Sequence, residues 1–66
     1  MKNTIRVERA ILNITQAELA EKVNVSRQTI NAIESNKYVP STVLALKIAR
    51  TFQKEVGAIF TLEDTD

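Results

Sequence analysis

Four polar side chains that can read base pairs lie close together between Arg27 and Asn31. Arg27 carries two donors that match O6 and N7 of guanine, and Gln28 carries the donor and acceptor that match N6 and N7 of adenine. Thr29 adds a methyl group and a hydroxyl, and Asn31 lies about one helical turn after Arg27. Taken alone, Arg27 fits an ordinary solvent-exposed position near a helix start better than a base contact, so the surrounding elements decide between the two interpretations.

The sequence predicts that these side chains lie on one of five short helices. Thr15 and Glu18 have the spacing of a capping box, and Ser26 and Ser41 are good N-caps, so a helix is expected to begin after each cap. Pro40 stops any continuation of the helix that precedes it. The predicted helices span residues 4–12, 16–23, 27–35, 42–52 and 55–60, and residues 61–66 are expected to be extended or disordered, or to form a short strand at Thr61 and Leu62.

Apolar residues recur at helical spacing and predict one core shared by all five helices, none of which is long enough to be stable alone. Ala20 is placed where the second helix crosses the third, because a larger side chain would push the two apart. Asn24 is placed at the turn between them, where asparagine tolerates a left-handed backbone better than most residues. The expected core consists of Ile5, Leu12, Leu19, Ala20, Val23, Ile30, Ile33, Leu44, Ala45, Ile48, Ala49, Phe52, Val56, Ile59 and Phe60.

Composition narrows the classes of function. The chain has 66 residues and contains neither cysteine nor histidine, which excludes disulfides, thiolate metal sites and the commonest general base. Both aspartates lie in the tail, so an enzyme is not expected, nor is a cofactor, a metal or a small-molecule ligand. No apolar run approaches the roughly 20 residues of a membrane span. The first nine residues do not resemble a signal peptide, so a cytoplasmic protein without a membrane partner is expected.

The net charge of +1 hides an uneven distribution. All nine Lys and Arg lie between Lys2 and Lys54 together with only four acidic residues, so this part carries +5. The segment from Glu55 to Asp66 holds the other four acidic residues. A basic body beside an acidic end indicates a polyanion-binding face kept apart from another surface, although a solvated surface with a frayed acidic end explains the charges equally well.

Several segments together are similar to one known family. The chain contains TQAELAEKV, VSRQTINAIE, NKYVPS and ALKIA, and from Ile5 to about Phe60 it resembles the Xre, or Cro/CI-type, helix-turn-helix repressors, nearest to the short members with RQTINAIE. Asn24 and Asn36 stand where that family usually has glycine. The resemblance implies a compact all-α, five-helix, lambda-repressor-like DNA-binding domain over residues 1–66, with the helix-turn-helix at 16–35 and a dimerisation segment at about 55–66.

The resemblance also implies roles for individual residues. Family members place base contacts at the first residues of the recognition helix, which match Arg27 and Gln28, with Thr29 and Asn31 beside them. Arg9 and Glu34 stand where the family carries a shielded ion pair, of which neither partner can be removed without stranding a charge. Phosphate contacts are expected at Gln16, Ser26, Lys37, Tyr38 and Ser41; the alternatives are local helix-start bonds for Gln16, a solvated loop charge for Lys37 and a packing role for Tyr38.

The function implied is a dimeric, sequence-specific repressor of transcription. One domain of this size makes few contacts with double-stranded DNA, and two copies on a palindromic operator would raise the affinity. The apolar C-terminal end is expected to form the homodimer interface through Ile59, Phe60 and Leu62. Val7 and Ile11 lie off the main face of the first helix, either as scattered exposed residues or as a patch that contacts the C-terminal segment or another subunit.

Two further functions share these elements. An antitoxin that regulates its own operon would have the same fold, but the short tail leaves little chain with which to wrap a toxin. A pure protein-interaction module that no longer binds DNA is disfavoured, because Arg27 and Gln28 are retained on the predicted groove-reading side.

Overall fold

A computed structural model of the chain describes all 66 residues and contains five helices and one two-stranded sheet. The first strand precedes the helices and the second follows them. The elements in chain order are β1 (Lys2–Asn3), α1 (Ile5–Leu12), α2 (Gln16–Val23), α3 (Arg27–Glu34), α4 (Thr42–Thr51), α5 (Val56–Ile59) and β2 (Phe60–Thr61). The predicted all-α, five-helix architecture is therefore confirmed, and α5 is a single turn, shorter than the sequence suggested.

Side-chain caps begin three of the helices where the sequence predicts them. The Thr15 hydroxyl accepts from the Glu18 backbone N–H at 3.0 Å, and the Glu18 carboxylate accepts from the Thr15 backbone N–H at 2.9 Å. The hydroxyls of Ser26 and Ser41 accept from backbone N–H groups at the starts of α3 and α4, at 3.1 and 3.2 Å. These bonds satisfy donors that a helix start otherwise leaves unpaired.

Four residues with positive φ lie one or two positions after the last residue of a helix. Asn24 and Asn36 have φ values of 62°, as expected for positions where glycine is common. Asn13, after α1, and Gln53, after α4, have φ values of 57° and 56° and were not predicted. Asparagine is among the residues most tolerant of this conformation, whereas a glutamine there has no comparable local signal.

Twelve apolar residues form one core, to which every helix contributes. Ile5, Leu19, Ile30 and Ile48 are fully enclosed. The prediction was wrong for Leu12, which is 49% exposed because α1 ends there and Ile14 packs against the core after the chain reverses. It was also wrong for the exposed Val56, since a helix of one turn can direct only part of its surface inward.

A buried carboxylate joins the two ends of the domain. Glu8 on α1 is only 7% exposed, and its carboxylate accepts from the Lys54 ammonium at 2.8 Å. Lys54 lies in the turn between α4 and α5. A buried charge requires such a partner, so this pair fixes α1 against the C-terminal part of the chain.

The short sheet closes the domain. β1 and β2 are antiparallel, with Lys2 opposite Thr61 and Asn3 opposite Phe60. β2 therefore begins one residue earlier than the strand predicted at Thr61 and Leu62. Leu62 lies outside β2 and is 77% exposed. The last residues form a turn in which the Asp66 carboxylate accepts from the backbone N–H of Glu63 at 2.8 Å. None of the five helices combines the length and apolar character needed to cross a membrane.

We predict that Ala20→Leu destabilises the domain. Ala20 is 3% exposed, and its carbonyl accepts from the Val25 backbone N–H at 3.0 Å, where the chain turns from α2 towards α3. Overpacking such a site should lower the free energy of unfolding by about 1–3 kcal/mol. For a domain of this size, each kcal/mol corresponds to about 4–8 °C in the melting temperature measured by circular dichroism. The control is Ala17→Leu, at an exposed alanine on the same helix. Equal melting temperatures for the two variants would show that α2 does not pack tightly at Ala20.

Candidate nucleic-acid interface

The central feature of the candidate site is the pair α2 and α3 with the turn between them. Leu19, Ala20 and Val23 on α2 are buried, as are Ile30 and Ile33 on α3. The αL conformation of Asn24 and the cap at Ser26 direct the chain from one helix into the other. Because both helices contribute buried residues to one core, the angle between them is set by packing and the outer side of α3 is held in a defined orientation.

The outer side of α3 carries polar side chains. Arg27, Gln28 and Asn31 are exposed and Thr29 is partly exposed, whereas the two isoleucines of the helix point into the core. The Thr29 and Ser26 hydroxyls are 2.9 Å apart and share a hydrogen bond. The structure thus brings together the four residues for which base contacts were predicted, on one accessible helix surface.

A polar network lies behind this surface. The Arg9 guanidinium donates two hydrogen bonds to the Glu34 carboxylate, at 2.6 and 3.0 Å, and a third to the Ile14 carbonyl at 3.1 Å. Glu34 is 1% exposed at its side chain, and Arg9 is 16% exposed. The structure therefore contains the shielded ion pair that the family resemblance implied, and it joins α1, the segment after α1 and the end of α3.

Gln16 extends this network to the outer surface. Its amide nitrogen donates to the Glu34 carboxylate at 3.1 Å and lies 3.3 Å from the Asn31 side-chain oxygen. Its amide oxygen accepts from the Arg27 guanidinium at 3.2 Å. Gln16, the side chain expected to contact a phosphate, thus makes local bonds when no DNA is bound. These bonds link the start of α2 to two candidate reading residues, Arg27 and Asn31.

The network sets the protonation of Glu34. Burial alone would raise the pKa of the Glu34 carboxyl, but hydrogen bonds from Arg9 and Gln16, with the positive charges of Arg9 and Arg6, outweigh it and hold that pKa below its ordinary value. The hydrogen bond to Glu34 also raises the pKa of the Arg9 guanidinium. Both groups therefore carry their charges at neutral pH, which is the condition for a stable bidentate pair.

The loop between α3 and α4 adds polar groups near the start of α3. Lys37, Tyr38 and Ser41 are all exposed, and the Ser41 hydroxyl caps α4. An open cleft joins this loop to the turn after α2; its lining includes Asn24, Thr29, Tyr38, Ser41 and Lys47. The predicted loop residues therefore lie beside the candidate reading helix. Lys47, an exposed basic residue on α4, also lines this cleft and was not singled out from the sequence.

Two of the three residues expected at a dimer interface, Ile59 and Phe60, are buried within the protomer. Ile59 is 1% exposed and Phe60 is 8% exposed, both within the core of the same chain. They pack inward because α5 is one turn long and β2 returns at once to β1. Only Leu62 is accessible, so the predicted interface through all three residues is wrong in this fold. Val7 and Ile11 are 57% and 66% exposed on α1.

Comparison with known proteins places this geometry in a family. Residues 5–59, from the start of α1 to the end of α5, match the helix-turn-helix family. Three relatives bear the name HTH-type transcriptional regulator. The one from Methanocaldococcus jannaschii is 52% identical over 66 residues, all of both chains. That from Bacillus subtilis is 45% identical over 64 residues, 97% of both chains. That from Methanothermobacter thermautotrophicus is 48% identical over 65 residues, 97% of this chain and 94% of the relative.

We predict that Glu34→Gln lowers the free energy of unfolding at neutral pH by about 1–3 kcal/mol, because a hydrogen-bonded charge is lost and Arg9 is left without its partner. The pKa of Glu34 in the folded state lies below its ordinary value of 4.5. The ion pair therefore stabilises the fold fully above the unfolded-state pKa, and this contribution is lost as the pH falls through the folded-state pKa. The difference between wild type and variant should consequently shrink below about pH 4.5 in denaturant titrations.

The matched control is Glu21→Gln, which removes an exposed carboxylate from α2. It should change stability by no more than about 0.5 kcal/mol. A Glu34→Gln difference that stays constant down to acidic pH would contradict the assigned charge on Glu34.

Proposed function

We propose that this chain, which belongs to the helix-turn-helix family of transcriptional regulators, binds double-stranded DNA in the cytoplasm. It would bind a palindromic operator as a homodimer and repress transcription from it. The observation that carries the proposal is the division of α3 into a buried apolar side and an outer side with Arg27, Gln28 and Asn31. Such a helix, held by packing against α2, has the geometry of a recognition helix in the major groove.

Base reading is assigned to the outer side of α3. Arg27 and Gln28 lie in its first turn, where a recognition helix contacts base edges. The guanidinium of Arg27 suits guanine and the amide of Gln28 suits adenine. Thr29 can contact a thymine methyl group, and Asn31 a further base edge one turn along the helix. These four side chains constitute the proposed base-contacting set.

Anchoring to the DNA backbone is assigned to residues around α3. Lys37, Tyr38 and Ser41 extend from the loop after α3, and Ser26 lies at its N-terminus. Gln16 would donate to a phosphate through the amide N–H that is directed at Asn31 in the free protein. Arg27 would leave the Gln16 amide oxygen as its guanidinium turns to a base. The Gln16–Arg27 bond is exposed, so this exchange costs little.

Homodimerisation and repression follow from the number of available contacts. One α3 presents few base-reading groups, whereas two copies related by a two-fold axis would read half-sites about 34 Å apart and share one palindrome. A dimer seated on a promoter would exclude other proteins from the same DNA. Both steps are non-enzymatic and require no cofactor.

The first test of DNA binding is its salt dependence. We expect log K for a duplex from the chain's own promoter region to fall linearly with log salt, with a slope of about −0.9 per phosphate neutralised. Lys37→Ala should make the slope shallower by about one unit, as measured by fluorescence anisotropy. The control is Lys2→Ala, since Lys2 lies beside Glu63 and Asp64 on another surface. An affinity that does not change with salt would exclude phosphate-driven binding.

The second test separates reading from anchoring by selection from a randomised duplex. Arg27→Ala and Gln28→Ala should each lose preference at particular base pairs, by about 1–3 kcal/mol at the position affected. Lys37→Ala should weaken all sequences alike and select the wild-type sequence. If Lys37→Ala changed the selected sequence while Arg27→Ala left it intact, the assigned roles would be reversed.

A further inference from the structure

The cleft beside the start of α3 continues beyond the loop residues to which phosphate contacts were assigned. It reaches from the turn after α2 to α4, and Val23, Val25 and Leu44 form part of its lining. Lys47 lines it from the middle of α4. No acidic residue lines this cleft, so a negatively charged group that entered it would meet the charge of Lys47 and no like charge.

The cleft carries hydrogen-bond donors that are available to a ligand. The side chain of Lys47 is exposed and takes part in none of the ion pairs of the chain. The Ser41 hydroxyl oxygen accepts from the backbone N–H of Leu44 at 3.2 Å, which leaves its O–H free to donate to another group. Tyr38 is 48% exposed and adds a second hydroxyl. Ammonium and hydroxyl donors are the groups with which proteins bind the phosphate oxygens of DNA.

The cleft lies on the side of α3 that is turned away from Gln16. The Gln16 amide accepts from Arg27 and lies 3.3 Å from the Asn31 side-chain oxygen, so these residues define one side of the helix. Thr29, which lines the cleft, follows Arg27 by two residues, which is about 200° around the helix. A helix seated in the major groove, which is about 12 Å wide, has a phosphate backbone on either side. In the proposed complex Gln16 would therefore face one DNA strand and the cleft would face the other.

We infer that this cleft binds a backbone phosphate of the DNA strand opposite to the one that Gln16 contacts. The Lys47 ammonium supplies the charge that holds the phosphate, and the hydroxyls of Tyr38 and Ser41 donate to its oxygens. The inference rests on the proposed function. It adds to that function a second cationic anchor, which lies on α4, whereas Lys37 lies on the loop.

Arg50 provides a matched control, because it is the next basic residue on α4 after Lys47. It is exposed and, like Lys47, takes part in none of the ion pairs of the chain. Arg50 borders a second depression, together with Val43, Leu46 and Lys47, but it does not line the cleft. Positive charge on α4 is therefore present at both positions, and only Lys47 combines it with the donors of the cleft.

The experiment measures the salt dependence of binding to a duplex from the chain's own promoter region by fluorescence anisotropy. Lys47→Ala should weaken binding about tenfold and make the slope of log K against log salt shallower by about one unit. Lys47→Arg retains the charge and should retain the slope, and Arg50→Ala should leave affinity and slope unchanged. Lys37→Ala combined with Lys47→Ala should make the slope shallower by about two units, because the two side chains neutralise separate phosphates. Melting curves establish that each variant is folded.

A scan of duplexes that each carry one neutral methylphosphonate linkage then locates the phosphate. The wild-type chain should lose about tenfold in affinity when the linkage replaces the phosphate bound in the cleft. Lys47→Ala should show no further loss at that position and should respond like the wild type at the others. Within a half-site, the position should lie on the strand opposite to the linkage to which Gln16→Ala becomes insensitive.

The outcomes separate this inference from the proposed function. A steep wild-type slope that Lys47→Ala retains, or equal losses for Lys47→Ala and Arg50→Ala, would overturn the inference and leave the proposed function standing. A Lys47→Ala variant that responds like the wild type to every methylphosphonate would have the same consequence. A wild-type chain that binds no duplex would refute the proposed function and the phosphate site together.

Discussion

The hydrogen-bonded ion pair between Arg9 and Glu34 is the constraint on which the arrangement of the first three helices depends. Glu34 is almost wholly enclosed at the end of α3, and an enclosed carboxylate is costly unless its oxygens are paired. Arg9 supplies two donors from α1 and Gln16 supplies a third from α2. All three helices must therefore keep their relative positions for the charge to be satisfied. Packing of aliphatic side chains tolerates small rotations, whereas a bidentate pair with a third donor specifies both distance and direction.

Helix ends contribute the second constraint, because the helices are too short to be stable alone. Four of them have eight to ten residues and α5 has four. In helices of this length most backbone groups lie near an end, so capping affects much of the structure. The bonds at Thr15, Ser26 and Ser41 define the starts, and the left-handed residues that follow α1, α2, α3 and α4 define the exits. Glu8 and Lys54 then join the first helix to the turn between α4 and α5.

Local features were predictable from the sequence, and features that depend on distant partners were less so. The capping box at Thr15, the cap at Ser26 and the turn at Asn24 involve residues within a few positions, and each has a sequence signal of its own. The Glu8–Lys54 pair joins residues 46 apart, and no periodic pattern relates them. For the site, helical spacing and the family resemblance were enough to place the polar side of α3. They did not reveal that Gln16 contacts both Glu34 and Arg27.

The error at the C-terminal end follows from the same distinction. Apolar periodicity identifies residues that avoid water, but it does not say whether the chain's own core or a second copy covers them. Ile59 and Phe60 complete the core of the protomer, whereas Val39 and Leu46, with weaker periodic signals, remain accessible. In so small a domain the core requires residues from every element, and few apolar side chains remain for an interface.

The polar bonds around α3 also differ according to whether they are shielded from solvent or exposed to it. The shielded bond from Gln16 to Glu34 holds the amide in place, while the exposed bond from Arg27 to the same amide is weak. The base of the candidate reading surface is therefore rigid, and its outermost guanidinium is free to exchange a protein partner for a base.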